Sequence, residues 1–279
     1  MAYKTILTVL SDPAQLPLLD RASELADALG GHLDVLCLGV DPSPPGYMFP
    51  DAMAHTLQRT LAEAADHARD LQEAATRRLN GCTGISFGIE GMVAQSGGLS
   101  GLVGLRARYA DLVVLARPYG PGAPAEAEQI TEAALYQGGA PVLVLPDTSR
   151  PIELPKRVLI GWNQSVEAMA AVRRALPLLV RADEVQIAVI DPRGTGPERA
   201  DPGGALAQML ARHGVRADIA VLASGGASVS EVLNRRMTEF GAGLLVMGAY
   251  SHSRLREAIL GGATRNMLQK AQAPVLLAR

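Results

Sequence analysis

Two short stretches carry residues whose types and spacing suit binding chemistry. The denser one is GAYSHSRLREAILGGAT (248–264). Glycine stands at Gly248 and as a pair at Gly261 and Gly262, just before the helix-like run RNMLQKAQ (265–272). A phosphate site needs several backbone N–H groups converging on one point, and glycine permits the left-handed and close-approach conformations this requires. A helix that begins there adds its unpaired N–H groups and the positive end of its dipole. Ser251, His252, Ser253 and Thr264 offer hydroxyl or imidazole contacts, and Arg254, Arg256 and Arg265 supply positive charge nearby. The second stretch is Asn163-Gln164-Ser165, where Asn163 can donate and accept hydrogen bonds without bearing charge. A plainer reading stands beside this one: Gly261-Gly262 only lets a helix start close to a strand, and SHSR is a solvated turn.

Other reactive residue types do not assemble into a site. Ser96 lies in the glycine-rich AQSGGLSG (94–101), and GASVSE (226–231) has serines but no G-x-S-x-G elbow. His32, His55, His67 and His213 are scattered without metal-ligand spacing. Cys37 falls on a core-like strand and Cys82 just before another, so neither forms a C-x-x-C pair. Trp162 ends an apolar run, where it either packs in the core or sits against a bound base.

Bulk composition narrows the classes. The formal net charge of −2 and the absence of a basic block argue against binding nucleic acid by phosphate neutralisation. Aromatic residues make up 4%, too few for base-stacking platforms. Hydrophobic residues at 48% of 279 are enough for a substantial core. The N-terminal MAYKTILTVLSDPAQ lacks a signal-peptide pattern, and no run approaches the roughly 18 apolar residues of a spanning helix. The expectation is a soluble cytoplasmic protein without membrane or nucleic-acid partners.

The elements that must position the glycine loop occur in two copies. Apolar strand runs alternate with helical patterns: ILTVL (6–10), a helix at 16–29, HLDVLCLGV (32–40), a long helix at about 51–79, ISFGI (85–89), LSGLVGLRARYA (99–110), DLVVLA (111–116), AEQITEAALYQ (127–137) and PVLVLP (141–146). The order then repeats from VLIGW (158–162) to PVLLA (274–278). Near-continuous apolar strands separated by helices predict parallel sheets covered on both faces. Lys4 aligns with Lys156 and Ala110 with Ala242, so the first copy carries about 20 extra residues, placed in PSPPGYMFP (42–50) and the long helix. That helix has one apolar stripe, which either packs on its own domain or makes a subunit contact. The boundaries predicted are 1–148 and 155–279, with a proline-rich linker between. In such a sheet, ligands bind beyond the carboxyl ends of the strands where the strand order reverses, so the turns at Asn163–Ser165 and Gly248–Ser253 should meet.

The second copy resembles the universal stress protein family, and the whole chain resembles its tandem form. The likeness rests on the strand-turn VLIGWNQS (158–165), on Gly248 ending the fourth strand, on Gly261 and on the closing APVLLA (273–278). It implies two doubly wound, Rossmann-like domains of the adenine-nucleotide α-hydrolase-like class, each with five mainly parallel strands. It also implies a stress-response regulatory or sensing role, with ATP, ADP or AMP in the C-terminal domain and Mg²⁺ accompanying ATP. The implied contacts are Asn163, Ser165, Gly248, Ser251, His252, Ser253, Gly261, Gly262 and Thr264. Hydrolysis would at most be slow, since no catalytic base or metal ligand is evident. The terminal strands PVLVLP and PVLLA would pair the two halves internally, and two chains would form a homodimer.

Three departures from the family pattern stand out. Ser251 replaces the second glycine, Gly262 replaces the Ser or Thr after Gly261, and Asn163 replaces the strand-end Asp. In the first copy Leu10 is expected at that Asp position, and Glu128 falls where Gly261 lies in the second. Prolines in ARPYGPGAPAEAEQ (116–129) remove backbone donors there. The first copy is therefore expected not to bind nucleotide, and a nucleotide-free interaction scaffold is the alternative for the whole chain.

Overall fold

The structure is a computed structural model that describes residues 2–43, 51–82, 84–146, 148, 154–192, 201–249 and 262–279, with side chains from 57 onward in the long helix. The chain divides into two compact units. One is built on Ala2–Ala140; the other joins Pro141–Asp147 to Glu153–Arg279.

The first unit contains four parallel strands in the order β3-β2-β1-β4: β1 (Thr5–Leu10), β2 (His32–Asp41), β3 (Ser86–Gln95) and β4 (Leu112–Ala116). Val9, Leu10, Val35, Leu36 and Leu112–Val114 are buried, as expected for strands covered on both faces. Helix α1 (Pro17–Leu29) stops at Gly30, which adopts φ 62° in the left-handed region and receives the last turn in a glycine cap.

The long helix α2 (Asp51–Leu79) settles one alternative left open by the sequence. Its stripe of Ala64, Ala68, Leu71, Ala75 and Leu79 is buried against β2 and β3 of its own unit. The approach is close because two glycines lie beneath it. A Cβ on Gly39 would collide with the Ala64 carbonyl, and one on Gly91 would come within 2.7 Å of Gln72 Oε1. Asp20 fastens α1 to α2 by accepting two hydrogen bonds from Arg78, at 2.7 and 2.6 Å.

Two shorter helices complete the first copy: α3 (Leu99–Ala107) and α4 (Ala127–Glu132), which continues into a π turn at Ala133–Gln137. Strand β3 runs six residues beyond the predicted ISFGI, to Gln95.

The second unit repeats this strand order: β6 (Arg157–Trp162), β7 (Glu184–Ile190), β8 (Ala217–Leu222), β9 (Leu244–Gly248) and β10 (Val275–Ala278) run parallel as β10-β9-β6-β7-β8. Helices α5 (Val166–Leu179), α6 (Gly204–Arg212), α7 (Val229–Phe240) and α8 (Gly262–Lys270) connect them. Gly161 faces Leu233 of α7, whereas Gly248, opposite in strand parity, faces α5; the two helices thus cover opposite faces. Each copy supplies five strands, as predicted. The fifth strand of the first copy, β5 (Val142–Leu145), lies antiparallel on β10, pairing Val144 with Val275 and Val142 with Leu277. This pairing draws Pro141–Asp147 into the second unit, although the sequence boundary at 148 assigns it to the first.

Candidate functional site

In each unit the strand order reverses between the first and fourth strands. In the second unit this places β6 beside β9, with Gly161 opposite Met247. Of the two turns expected to converge, Asn163–Ser165 and the Gly248 end of the other are described, and these lie together. Ser165 caps α5 by accepting a hydrogen bond from the Ala168 amide at 3.0 Å, and Asn163 Oδ1 accepts from the Ser165 amide at 3.1 Å. Between them Gln164 has φ 63°, a left-handed conformation that costs a non-glycine residue about 1–2 kcal/mol.

Gly248 lies hard against this helix start. A Cβ there would be 2.5 Å from the Ala168 nitrogen and 2.7 Å from the Glu167 carbonyl carbon. Only glycine lets β9 end this close to the first turn of α5. On the far side of the loop, α8 opens at Gly262, around which a Cβ would meet nothing within 4 Å. The first turn of α8 contains no acidic residue to offset the positive end of its dipole. Thr264 is 3% exposed, so its side chain is packed into the helix underside. Ser251, His252, Ser253 and Gly261, with the arginines at 254 and 256, lie outside the described residues. Trp162 is buried on β6, and its indole Nε1 has no hydrogen-bond partner among the described residues.

The same region of the first unit is closed by its own side chains. Register shows that the counterpart of Asn163 is Ser11, correcting the expectation of Leu10. Ile6 pairs with Leu112 as Val158 pairs with Leu244, and Leu10 pairs with Cys37 as Trp162 pairs with Val189. Leu10 is the counterpart of Trp162 and is fully buried. The Lys4–Lys156 alignment agrees with this register, since an offset of 152 also puts Ser11 opposite Asn163.

At the turn itself, Gln15 Oε1 accepts from the amides of Ser11 and Asp12 at 2.7 and 3.1 Å. His67 Nε2 donates to the Ser11 carbonyl at 2.9 Å, bringing α2 down onto the strand end. Beyond β4, Tyr119 donates to Glu128 Oε1 at 2.9 Å. Glu128 sits in the first turn of α4, so a carboxylate stands where an entering phosphate would need donors.

The remaining candidates are accounted for by local structure. The Ser96 amide and hydroxyl both donate to the Asp41 carbonyl, at 3.0 and 3.1 Å, and so terminate the β2–β3 pair. The Asp41 carboxyl is pushed up by burial, but hydrogen bonds from the Ser43 hydroxyl and amide, Thr60 and Gln95 outweigh this and hold it below its ordinary value. Burial raises the Cys37 thiol to about 12, so it is not a thiolate nucleophile near neutral pH. One cluster escaped the sequence reading: His32 Nδ1 lies 2.7 Å from Ser86 Oγ, and His32 Nε2 lies 3.3 Å from Asp34 Oδ1. The His-x-Asp alternation on a strand was the available signal, since it puts both residues on one face.

Among the described residues no helix is long and apolar enough to cross a membrane. No curated protein matches the sequence. The model of the universal stress protein family matches residues 155–279. The crystal structure of a universal stress protein from Archaeoglobus fulgidus DSM 4304 is similar at a TM-score of 0.70 and 13% identity, over 99% of this chain and 98% of that one. A putative universal stress protein from Pseudomonas aeruginosa UCBPP-PA14 is similar at 0.57 and 17%, over 99% of this chain and 93% of that one. At these identities the likeness to both solved structures is one of fold. The C-terminal domain therefore matches the universal stress protein family, and the chain as a whole shares the fold of these full-length universal stress proteins.

Proposed function

We propose that the second unit is a ligand-sensing module that holds an adenine nucleotide at the β6/β9 switch point, and that the first unit does not. The observation that carries this reading is the contact between Gly248 and the first turn of α5, which leaves no room for a side chain where the two turns meet. In this reading the phosphates lie over the amides of Gly262 and Ala263, and Ser251, His252, Ser253 and Gly261 supply further polar contacts. Asn163 and Ser165 line the opposite wall. Thr264, buried as it is, orients the helix rather than touching phosphate. ATP, ADP and AMP share the chemistry needed, and Mg²⁺ would accompany ATP. The module's output is regulatory, exercised in the cytoplasm during stress and through a homodimer, and any hydrolysis is slow.

The test is the nucleotide content of purified, denatured protein, read by ion-exchange chromatography, alongside a folded Gly262→Val variant. Near-stoichiometric adenine nucleotide in the parent that is absent from the variant supports the site. No released nucleotide, together with no calorimetric heat on adding ATP, rejects it and leaves the nucleotide-free scaffold.

A further inference from the structure

We propose that Ser86 is an activated hydroxyl that accepts an acyl group from small activated acyl donors such as reactive esters. The site lies in the first unit, on the sheet face opposite α2. Gly39 and Gly91 face α2, and the register puts His32, Asp34, Ser86 and Gly88 on the other face. His32 stands directly opposite Ser86 across the β2–β3 pair, and Asp34 opposite Gly88. Parallel pairing therefore lines up serine, imidazole and carboxylate by register alone.

The polar contacts suit a nucleophile. Asp34 Oδ1 lies 3.3 Å from His32 Nε2, an ion-pair distance at which the carboxylate charge favours a proton on that nitrogen. In that tautomer Nδ1 carries a lone pair, to which Ser86 Oγ, at 2.7 Å, donates. An oriented base within hydrogen-bond reach of a hydroxyl is the arrangement that activates serine, whatever the fold or chain order.

The step balances without a cofactor. Ser86 Oγ attacks the donor carbonyl, its proton passes to His32 Nδ1, the acyl–oxygen bond of the donor breaks, and the departing alkoxide or phenolate takes that proton. The row is open to solvent, with the side chains of His32 and Asp34 40% and 48% exposed. It has no water-excluding pocket in which preorganised donors would act at full strength. We therefore place it as a modification site that acylates once, rather than as a fast hydrolase.

The experiment treats the full-length protein with p-nitrophenyl acetate, then follows p-nitrophenolate release and maps acetyl groups by peptide mass spectrometry. General-base assistance contributes about 10²–10⁴-fold. Ser86 should therefore acetylate at least about 100-fold faster than the other exposed serines. His32→Gln should bring it down to their level. Asp34→Asn should slow it, and Asp34→Glu should restore it, which a purely structural role for the carboxylate would not require. All three variants alter exposed side chains, and circular dichroism checks that they fold. Acetylation of Ser86 at the rate of other serines, or a rate unchanged in folded His32→Gln, overturns the proposal.

Discussion

The two halves of this chain share a strand order and a switch point, yet they treat the space beyond it in opposite ways. In the second unit the turn after β6 spends its polar groups on the helix start: Ser165 caps α5 and Asn163 braces Ser165. In the first unit the equivalent turn leads into a short 3-10 segment, and the Ser11 and Asp12 amides just before it are taken by Gln15, while His67 and the Tyr119–Glu128 contact bring α2 and α4 inward. Topology alone therefore does not decide whether a doubly wound domain has a usable site. What decides is whether backbone donors are left unspent and whether side chains stay out of the crevice.

The strongest way to break this contrast is to lift α2. Gly39→Ala would drive a methyl into the Ala64 carbonyl, a backbone group that cannot swing away. Overpacking of this kind costs about 1–3 kcal/mol and occasionally more. We expect the upper end, seen as a lower urea midpoint with a separate, earlier transition for the first unit. An unchanged midpoint would mean that α2 does not rest on β2 as described.

Gly248→Ala is the corresponding change in the second unit, and its expected effect is somewhat smaller. The added methyl meets the Ala168 nitrogen and the Glu167 carbonyl carbon at the first turn of α5, a helix end that can shift slightly. The expectation is about 1–2 kcal/mol of destabilisation, with nucleotide retention lost before the fold is. A variant that keeps its nucleotide would separate the glycine's packing role from ligand binding.

How much of this was legible beforehand depends on the kind of signal. Helix α7 is bracketed by punctuation that a sequence displays, since Ser228 caps it and Gly241 ends it. Strand β3 was cut short because Gly91 and the polar Glu90 interrupt its apolar run, and neither propensity nor alternation reveals that Gly91 is there to admit α2. The glycines of the second copy stood out in the sequence, and the structure shows what Gly248 does: it admits the first turn of α5. The contacts at the first unit's turn did not stand out, because Gln15, His67 and Tyr119 reach the strand ends from different elements. His32 and Asp34 share one strand, but Ser86 meets them only through strand register, which no short window contains.

A cap deletion sharpens the comparison further. Ser165→Ala removes the side chain that satisfies the Ala168 amide and should cost about 1 kcal/mol. The same loss in the first unit would come from Asp12→Ala, since Asp12 caps the 3-10 turn there by accepting from the Ala14 amide at 2.7 Å. If the two turns differ in function and not merely in sequence, only Ser165→Ala should weaken nucleotide binding. Calorimetric titration of both variants with ATP reads this out directly.

The smallest expected effect concerns acid. Glu231 is drawn down to about 2, chiefly by hydrogen bonds from the Ser228 amide and hydroxyl, with Lys270 adding a weaker pull. Its ionised carboxylate completes the α7 capping box and reaches Lys270 in the last turn of α8, at 3.2 Å. Because the folded-state value is depressed, the contribution to stability is present above the unfolded carboxyl value of about 4.3, declines as pH falls through the interval down to about 2, and is absent below it. The side chain is about half exposed, so solvent and salt screen much of the pull. A Glu231→Gln variant should therefore match the parent's thermal stability near pH 2 and fall slightly below it at pH 6. The tie joins two helices of the second unit, so the gap should appear in that unit's transition. A gap that persisted unchanged at pH 2 would show that the glutamate acts through packing rather than charge.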